Sequence, residues 1–228
     1  MGHHTSGKSR ARLLVAIAVT GVLAVVAACG TSTTVVTGSG NVRTENRPVS
    51  GFDSVEFASA GTVTIEQTGT DSLEIRADDG ILPSLTSEVQ GTTLKLGVKN
   101  GTIPLDAKEI SYRVTVGRLT GLTVSGAGQV TVNKLDGSDL TVTHGGAARV
   151  VLSGRVSRQV VDLTGIGEYD AANLSSEEAD VTVGGAGSAV VDVSRTLQAR
   201  VTGVGSIRYE GSPQVTKEIS GVGQVSPR

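Results

Sequence analysis

VSGAGQV at Val124–Val130 returns as THGGAAR (Thr143–Arg149), LTGIGEY (Leu163–Tyr169), VGGAGSA (Val183–Ala189), VTGVGSI (Val201–Ile207) and ISGVGQV (Ile219–Val225). The first aligned glycines are Gly126, Gly145, Gly165, Gly185, Gly203 and Gly221, spaced by 19, 20, 20, 18 and 18 residues. Two residues before them stand Val124, Thr143, Leu163, Val183, Val201 and Ile219, and six residues after stand Val132, Val151, Ala171, Val191 and Tyr209. Between these points apolar and polar residues mostly alternate, the period of strands with one buried face. The period is too short for a four-stranded propeller blade and has no helical pattern. It fits one rung of a β-solenoid, each rung stacked ~4.8 Å above the last. The expectation is an all-β, β-solenoid-like fold with rungs of 18–20 residues.

Stacked rungs place equivalent corners over one another. A corner that needs positive φ or close backbone approach favours glycine at every level. Gly126, Gly128, Gly165, Gly167, Gly185, Gly187, Gly203, Gly205, Gly221 and Gly223 are therefore expected as structural corners. The second copy departs from the pattern. In His144-Gly145-Gly146-Ala147-Ala148 an Ala takes the second glycine position, and Arg149 stands where other copies place an apolar residue. A widened corner or register shift is expected there, with His144 as a surface corner residue.

Upstream the signal weakens but stays β. Val55 and Phe57, Val63 and Ile65, Leu73 and Ile75, Leu94, Leu96 and Val98, then Tyr112, Val114 and Val116 all alternate with polar neighbours. Ser59-Ala60-Gly61 takes the place of a Gly-x-Gly corner, so the repeat begins there in degraded form, as terminal repeats do. Ile81–Val89 reads as a short turn or strand. Residues 41–228 form one domain, or two joined halves: a less regular 41–118 and a regular 119–228.

The N-terminus carries Lys8, Arg10 and Arg12, then the uncharged run LLVAIAVTGVLAVVAA from Leu13 to Ala28. A basic region, an apolar region and small residues at the junction describe a secretory signal over 1–28. Sixteen residues would rise only about 24 Å as a helix, short of the ~30 Å hydrocarbon core. Val26-Ala27-Ala28-Cys29 resembles the lipobox of bacterial lipoproteins. That resemblance implies cleavage before Cys29, the only cysteine, and lipid on its sulfur. Two or more acyl chains anchor stably at ~0.8 kcal/mol per buried CH₂. Residues 29–40 are then the lipidated cysteine and a flexible Gly/Ser/Thr tether, and the membrane is a partner through that lipid, on the extracytoplasmic side.

Beyond the leader, 17 basic residues face 22 acidic ones, with five Phe and Tyr and no Trp. A mildly acidic chain poor in aromatics lacks both the electrostatic footprint and the stacking platforms for nucleic acid. The aliphatic, Thr-rich remainder suits a pleated surface, and the 31 glycines argue against long helices.

FDSVEFASAGTVTIEQ (Phe52–Gln67), LEIRADDGILPSLTSEVQGTTLKL (Leu73–Leu96) and the SGAGQV-type corners from Ser125 resemble the bacterial "putative auto-transporter adhesin" family with its head GIN domain, whose members are often lipoproteins. The resemblance covers nearly all of the chain after Cys29. It implies a right-handed parallel β-helix in the cell envelope and supplies no catalytic residues.

Chemistry is otherwise sparse. Gly126-Ala127-Gly128 runs on into strand, without the helix that a dinucleotide fingerprint requires. Gly184-Gly185-Ala186-Gly187 has the glycines of a calcium β-roll but Ala189 where Asp must coordinate. No metal and no cofactor are expected. His144 is the only histidine after the leader. It can act as a base only with positioned partners. Asp78-Asp79 and Glu177-Glu178-Asp180 could serve glycoside cleavage, which needs two carboxyls about 5–10 Å apart, but such clusters are usually solvated loop charges. The sequence therefore points to a membrane-anchored, non-catalytic binding or adhesion module. Its expected ligand is an envelope glycan or surface protein. The alternatives are a structural or assembly role in the envelope, then an enzyme acting on polysaccharide.

Overall fold

The computed structural model describes Met1 and residues 33–228. The lipobox Val26-Ala27-Ala28, Cys29 and the rest of the expected leader beyond Met1 lie outside the described residues. Among those described there is no α-helix, only a 3-10 turn at Leu82–Ser84.

The Val- and Thr-rich alternation folds into strands nearly everywhere. They are β1 (Thr34–Thr37), β2 (Val42–Arg47), β3 (Ser54–Phe57), β4 (Ala60–Gln67), β5 (Ser72–Asp78), β6 (Leu85–Gln90), β7 (Thr93–Val98), β8 (Thr102–Leu105), β9 (Ile110–Val116) and β10 (Gly121–Val124). There follow β11 (Ala127–His144), β12 (Ala147–Leu163), β13 (Ile166–Val183), β14 (Ala186–Val201), β15 (Val204–Glu210), β16 (Gln214–Ile219) and β17 (Val222–Pro227). Each of β11 to β14 is a whole rung. It leaves a glycine corner, crosses one face, bends through a bulge and returns along a second face to the next glycine corner. Adjacent rungs pair in parallel, giving a β-solenoid of about five turns.

Alternation sends every second side chain inward. Val130, Val150, Tyr169, Ala189, Ile207 and Val225 stack in register as one buried column. Leu140, Gln159, Ala179, Leu197 and Val215 form another. Bulk is shared between levels: the wholly buried Tyr169 lies under Ala189, which lets one rung carry an aromatic ring without overpacking the next. Outward positions carry ion pairs between neighbouring rungs, such as Arg149 with Glu168 and Asp170, and Arg200 with Asp180 and Glu218.

At one corner Ser59, Gly126, Gly146, Gly165, Gly185, Gly203 and Gly221 lie over one another. Beside them run Gly61, Gly128, Ala148, Gly167, Gly187, Gly205 and Gly223. The reason for glycine is close approach. A Cβ on Gly126, Gly165, Gly185, Gly203 or Gly221 would stand under 3.0 Å from the backbone oxygen of the rung below. Positive φ holds in this seam only at Gly61 and Gly128.

The second copy is corrected by one residue. Val124 pairs with His144, and Gln129 with Arg149, so Gly146 and not Gly145 belongs to the seam. There is no widened corner or register slip, because the ladder from Ala127↔Ala147 to Val132↔Leu152 is continuous. Arg149 is simply an outward residue with ion-pair partners. The one-residue correction also inverts His144. Strand parity turns it inward between Val124 and Leu163, where it is 1% exposed and not a surface residue. Two adjacent glycines made either alignment admissible on sequence, and a one-residue shift exchanges the two faces.

The N-terminal region stacks out of chain order. β3 and β4 lie directly beneath β10 and β11, and the later β7 and β9 lie beneath β3 and β4. β10 lies one level below the second half of β11, beside β4, and β9 lies one level lower, beside β3. After β9 the chain therefore climbs one extra level, ~4.8 Å, through Gly117–Thr120. Antiparallel β6, β5 and β2 finish this end. Arg47 closes the cap by donating to the carbonyls of Leu82 and Leu85 and to Ser87 Oγ.

The stretch read as a tether is also corrected. Thr34–Thr37 is strand β1, paired in parallel with β8 in a separate two-stranded sheet. TVVT is β-branched and finds a partner strand far along the chain, which composition cannot reveal. The buried Asp78 carboxylate fixes this region by accepting from the backbone N–H groups of Gly40 and Lys108, both at 2.7 Å.

Candidate functional site

Opposite the glycine seam, the rungs turn through bulges of unequal length. β13 takes four steps from Ala171 to Ser175 where β14 takes one, from Val191 to Asp192. Register also shifts between Val132 and Leu135 and between Val151 and Ser153. Lys134 and Gly154 hold positive φ at this corner, and a Cβ on Gly154 would meet the Leu135 backbone at under 3.0 Å. Unequal bulges leave one rung overhanging another. The result is a cleft of about 550 Å³, within the ~300–1,000 Å³ range of ligand pockets.

Its walls are polar. Asp136, Arg155, Ser175, Ser176, Glu177, Asp192 and Ser194 contribute hydroxyls, carboxylates and a guanidinium. Asp136 and Arg155 face each other in register, yet neither joins an ion pair among the described residues. Their hydrogen-bonding groups are free for a ligand. Glu177 is committed to Arg195 at 2.9 Å, and Asp192 accepts from Ser175 Oγ at 3.1 Å.

A buried relay supports the floor. Tyr169 Oη donates to Gln159 Oε1 at 2.9 Å, Gln159 Nε2 donates to Ser176 Oγ at 2.9 Å, and Ser176 Oγ donates to the Asp192 carbonyl at 2.8 Å. Burial raises the Tyr169 pKa, so its phenol remains a donor. A satisfied buried network fixes rotamers, so Ser176 is presented in one orientation. Reading the sequence for chemistry missed this relay and the Asp136–Arg155 pair. The legible signal was Gln159, a polar residue in a column otherwise made of Leu140, Ala179, Leu197 and Val215.

The acidic clusters are already engaged by other groups of the chain, Glu177 within the cleft and the others outside it. Asp78 holds backbone, and Asp79 meets Arg43 and the Ser39 hydroxyl. Glu177 and Glu178 share Arg195, and Asp180 binds Arg200. The structure does not bring these clusters together into a facing pair of unengaged carboxylates. The Nε2 of His144 has no hydrogen-bond partner, and burial lowers the pKa of the ring. No group of three His, Cys, Asp or Glu side chains that could hold a metal occurs among the described residues.

Fold and cleft together define a β-solenoid with a polar groove across its rungs. The chain belongs to the family described as "Putative auto-transporter adhesin, head GIN domain", whose profile matches residues 51–213. A crystal structure of a putative adhesin from Bacteroides fragilis is similar, with a TM-score of 0.72 and 23% identity, over 85% of this chain and 100% of that one. A putative adhesin from Parabacteroides merdae matches at a TM-score of 0.50 and 20% identity, over 86% and 100%. These likenesses bear on the fold. No curated protein sequence matches the chain.

Proposed function

We propose that this adhesin-family domain is carried on an extracytoplasmic lipoprotein anchored at Cys29 and acts as a non-catalytic binding module. On this reading the groove at the bulged corner takes a hydroxyl-rich polymer such as an envelope or surface glycan. The observation that carries it is the unpaired Asp136–Arg155 couple beside Ser175, Ser176 and Ser194. A guanidinium donates to sugar oxygens and a carboxylate accepts from sugar hydroxyls, while the Ser175 and Ser194 oxygens, whose protons go to Asp192 and to the Ser176 carbonyl, keep acceptor capacity. The engagement of Asp79, Glu177, Glu178 and Asp180 by arginines, and of Asp78 by backbone N–H groups, supports binding over glycoside cleavage.

Two measurements test the proposal. Metabolic labelling with a palmitate analogue should mark the wild type, and Cys29→Ala should lose the label and leave the membrane pellet for the soluble fraction. An unlabelled wild-type chain would remove the anchor. On a glycan array, the detergent-solubilised mature protein should bind hydroxyl-rich glycans, and Asp136→Ala/Arg155→Ala should weaken that binding by about tenfold or more, the effect of losing charged hydrogen bonds. Silence on the array, or equal binding by the double variant, would sink the groove.

A further inference from the structure

The outward face of the β1–β8 sheet exposes large apolar side chains. Val35 lies opposite Ile103, and Thr37 opposite Leu105. Period-two alternation puts these four on one face, while Val36 turns the other way and packs against the core. Val35, Ile103 and Leu105 are 54%, 46% and 47% exposed. The ribbon is held in place by backbone bonds from Thr34 N to the Gly101 carbonyl and from Gly38 N to the Leu105 carbonyl, together with the Asp78 clamp. Side chains of this kind, left on a fixed surface, mark an interaction site.

Position in the chain says what covers them. β1 begins at Thr34, five residues after Cys29, and five residues reach at most about 18 Å fully extended. A lipid on Cys29 would therefore hold this sheet within that distance of a bilayer surface.

We propose that the Val35–Thr37–Ile103–Leu105 face lies against the lipid bilayer that holds Cys29, so that the solenoid is docked in a fixed orientation and does not swing on a loose leash. The proposal rests on the reading of Cys29 as lipidated. Its test uses the absence of Trp from the chain. Ile103→Trp places a reporter on the face, and Ile219→Trp places a control at the far end of the stack, where the side chain is also 46% exposed. The full mature protein is reconstituted into phosphatidylcholine–phosphatidylglycerol vesicles with brominated acyl chains.

The expected result is a blue-shifted emission quenched by bromine for Ile103→Trp, neither effect for Ile219→Trp, and loss of quenching when Val35→Ser and Leu105→Ser are added. Intact mass first establishes whether Cys29 carries lipid. If it does not, the anchoring reading has failed, and coupling the Cys29 sulfur to a maleimide phospholipid supplies the tether so that the docking face is still tested. An anchored Ile103→Trp whose emission is unquenched overturns the proposal, as does equal quenching of both reporters. Shielding from aqueous quencher without bromine quenching overturns it in favour of a protein or the segment 30–33 as the occupant.

Discussion

Gly185→Val is expected to destabilise the folded chain by about 3 kcal/mol or more, with Gly165→Val similar, while Thr141→Val and Ser188→Val remain within about 0.5 kcal/mol of wild type. The cause is spatial. A Cβ on Gly185 would overlap the carbonyl oxygens of Gly165 and Thr164 on the rung below, and one on Gly165 would overlap those of Gly146 and Gly145. These are backbone atoms locked in a parallel ladder, so relief requires lifting one rung from the next. Thr141 is exposed and Ser188 lies on an outward position, where a methyl group meets water. Urea midpoints of the mature protein decide the matter. Stacked repeats can unfold in stages, so midpoints serve better than extrapolated free energies. Coincident midpoints for all four variants would end the argument from the seam.

The second large effect concerns acidity. His144 sits in an apolar column with Val124 below and Leu163 above, its Nε2 unpartnered. Burial disfavours the imidazolium and lowers the folded-state pKa from the ordinary ~6.5 of the unfolded chain. The unfolded chain then binds a proton that the folded chain refuses, so stability is present above the unfolded pKa. It falls as pH drops through ~6.5 towards the lower folded pKa, by up to about 1.4 kcal/mol per unit. No other histidine follows the leader, and most carboxylates titrate below this window. His144→Leu should flatten the stability profile between pH 7 and pH 5. At pH 7 it should also raise stability by about 1–3 kcal/mol, the cost of a buried unsatisfied polar group. Parallel profiles for wild type and variant would show that the histidine is not the sensor.

Much of this architecture was legible because it is local information repeated. Each rung carries its own alternation and its own glycines. Similar short patterns recurring every 18 to 20 residues can bury their faces only by lying over one another, so the recurrence from Val124 to Val225 determined the strands, the inward columns and the parallel stacking. The same logic failed where a choice of one residue mattered. THGGAAR offers two adjacent glycines, and only the completed ladder decides that Gly146 enters the seam and His144 the core.

What the tertiary structure alone decided involves segments that do not repeat. That β7 and β9 slide beneath β3 and β4, that Thr34–Thr37 pairs with Thr102–Leu105, and that unequal bulges open a groove between Asp136 and Asp192 are products of long-range pairing. No periodicity announces such pairings, because the free energy of joining two unlike strands depends on what else has already been buried around them.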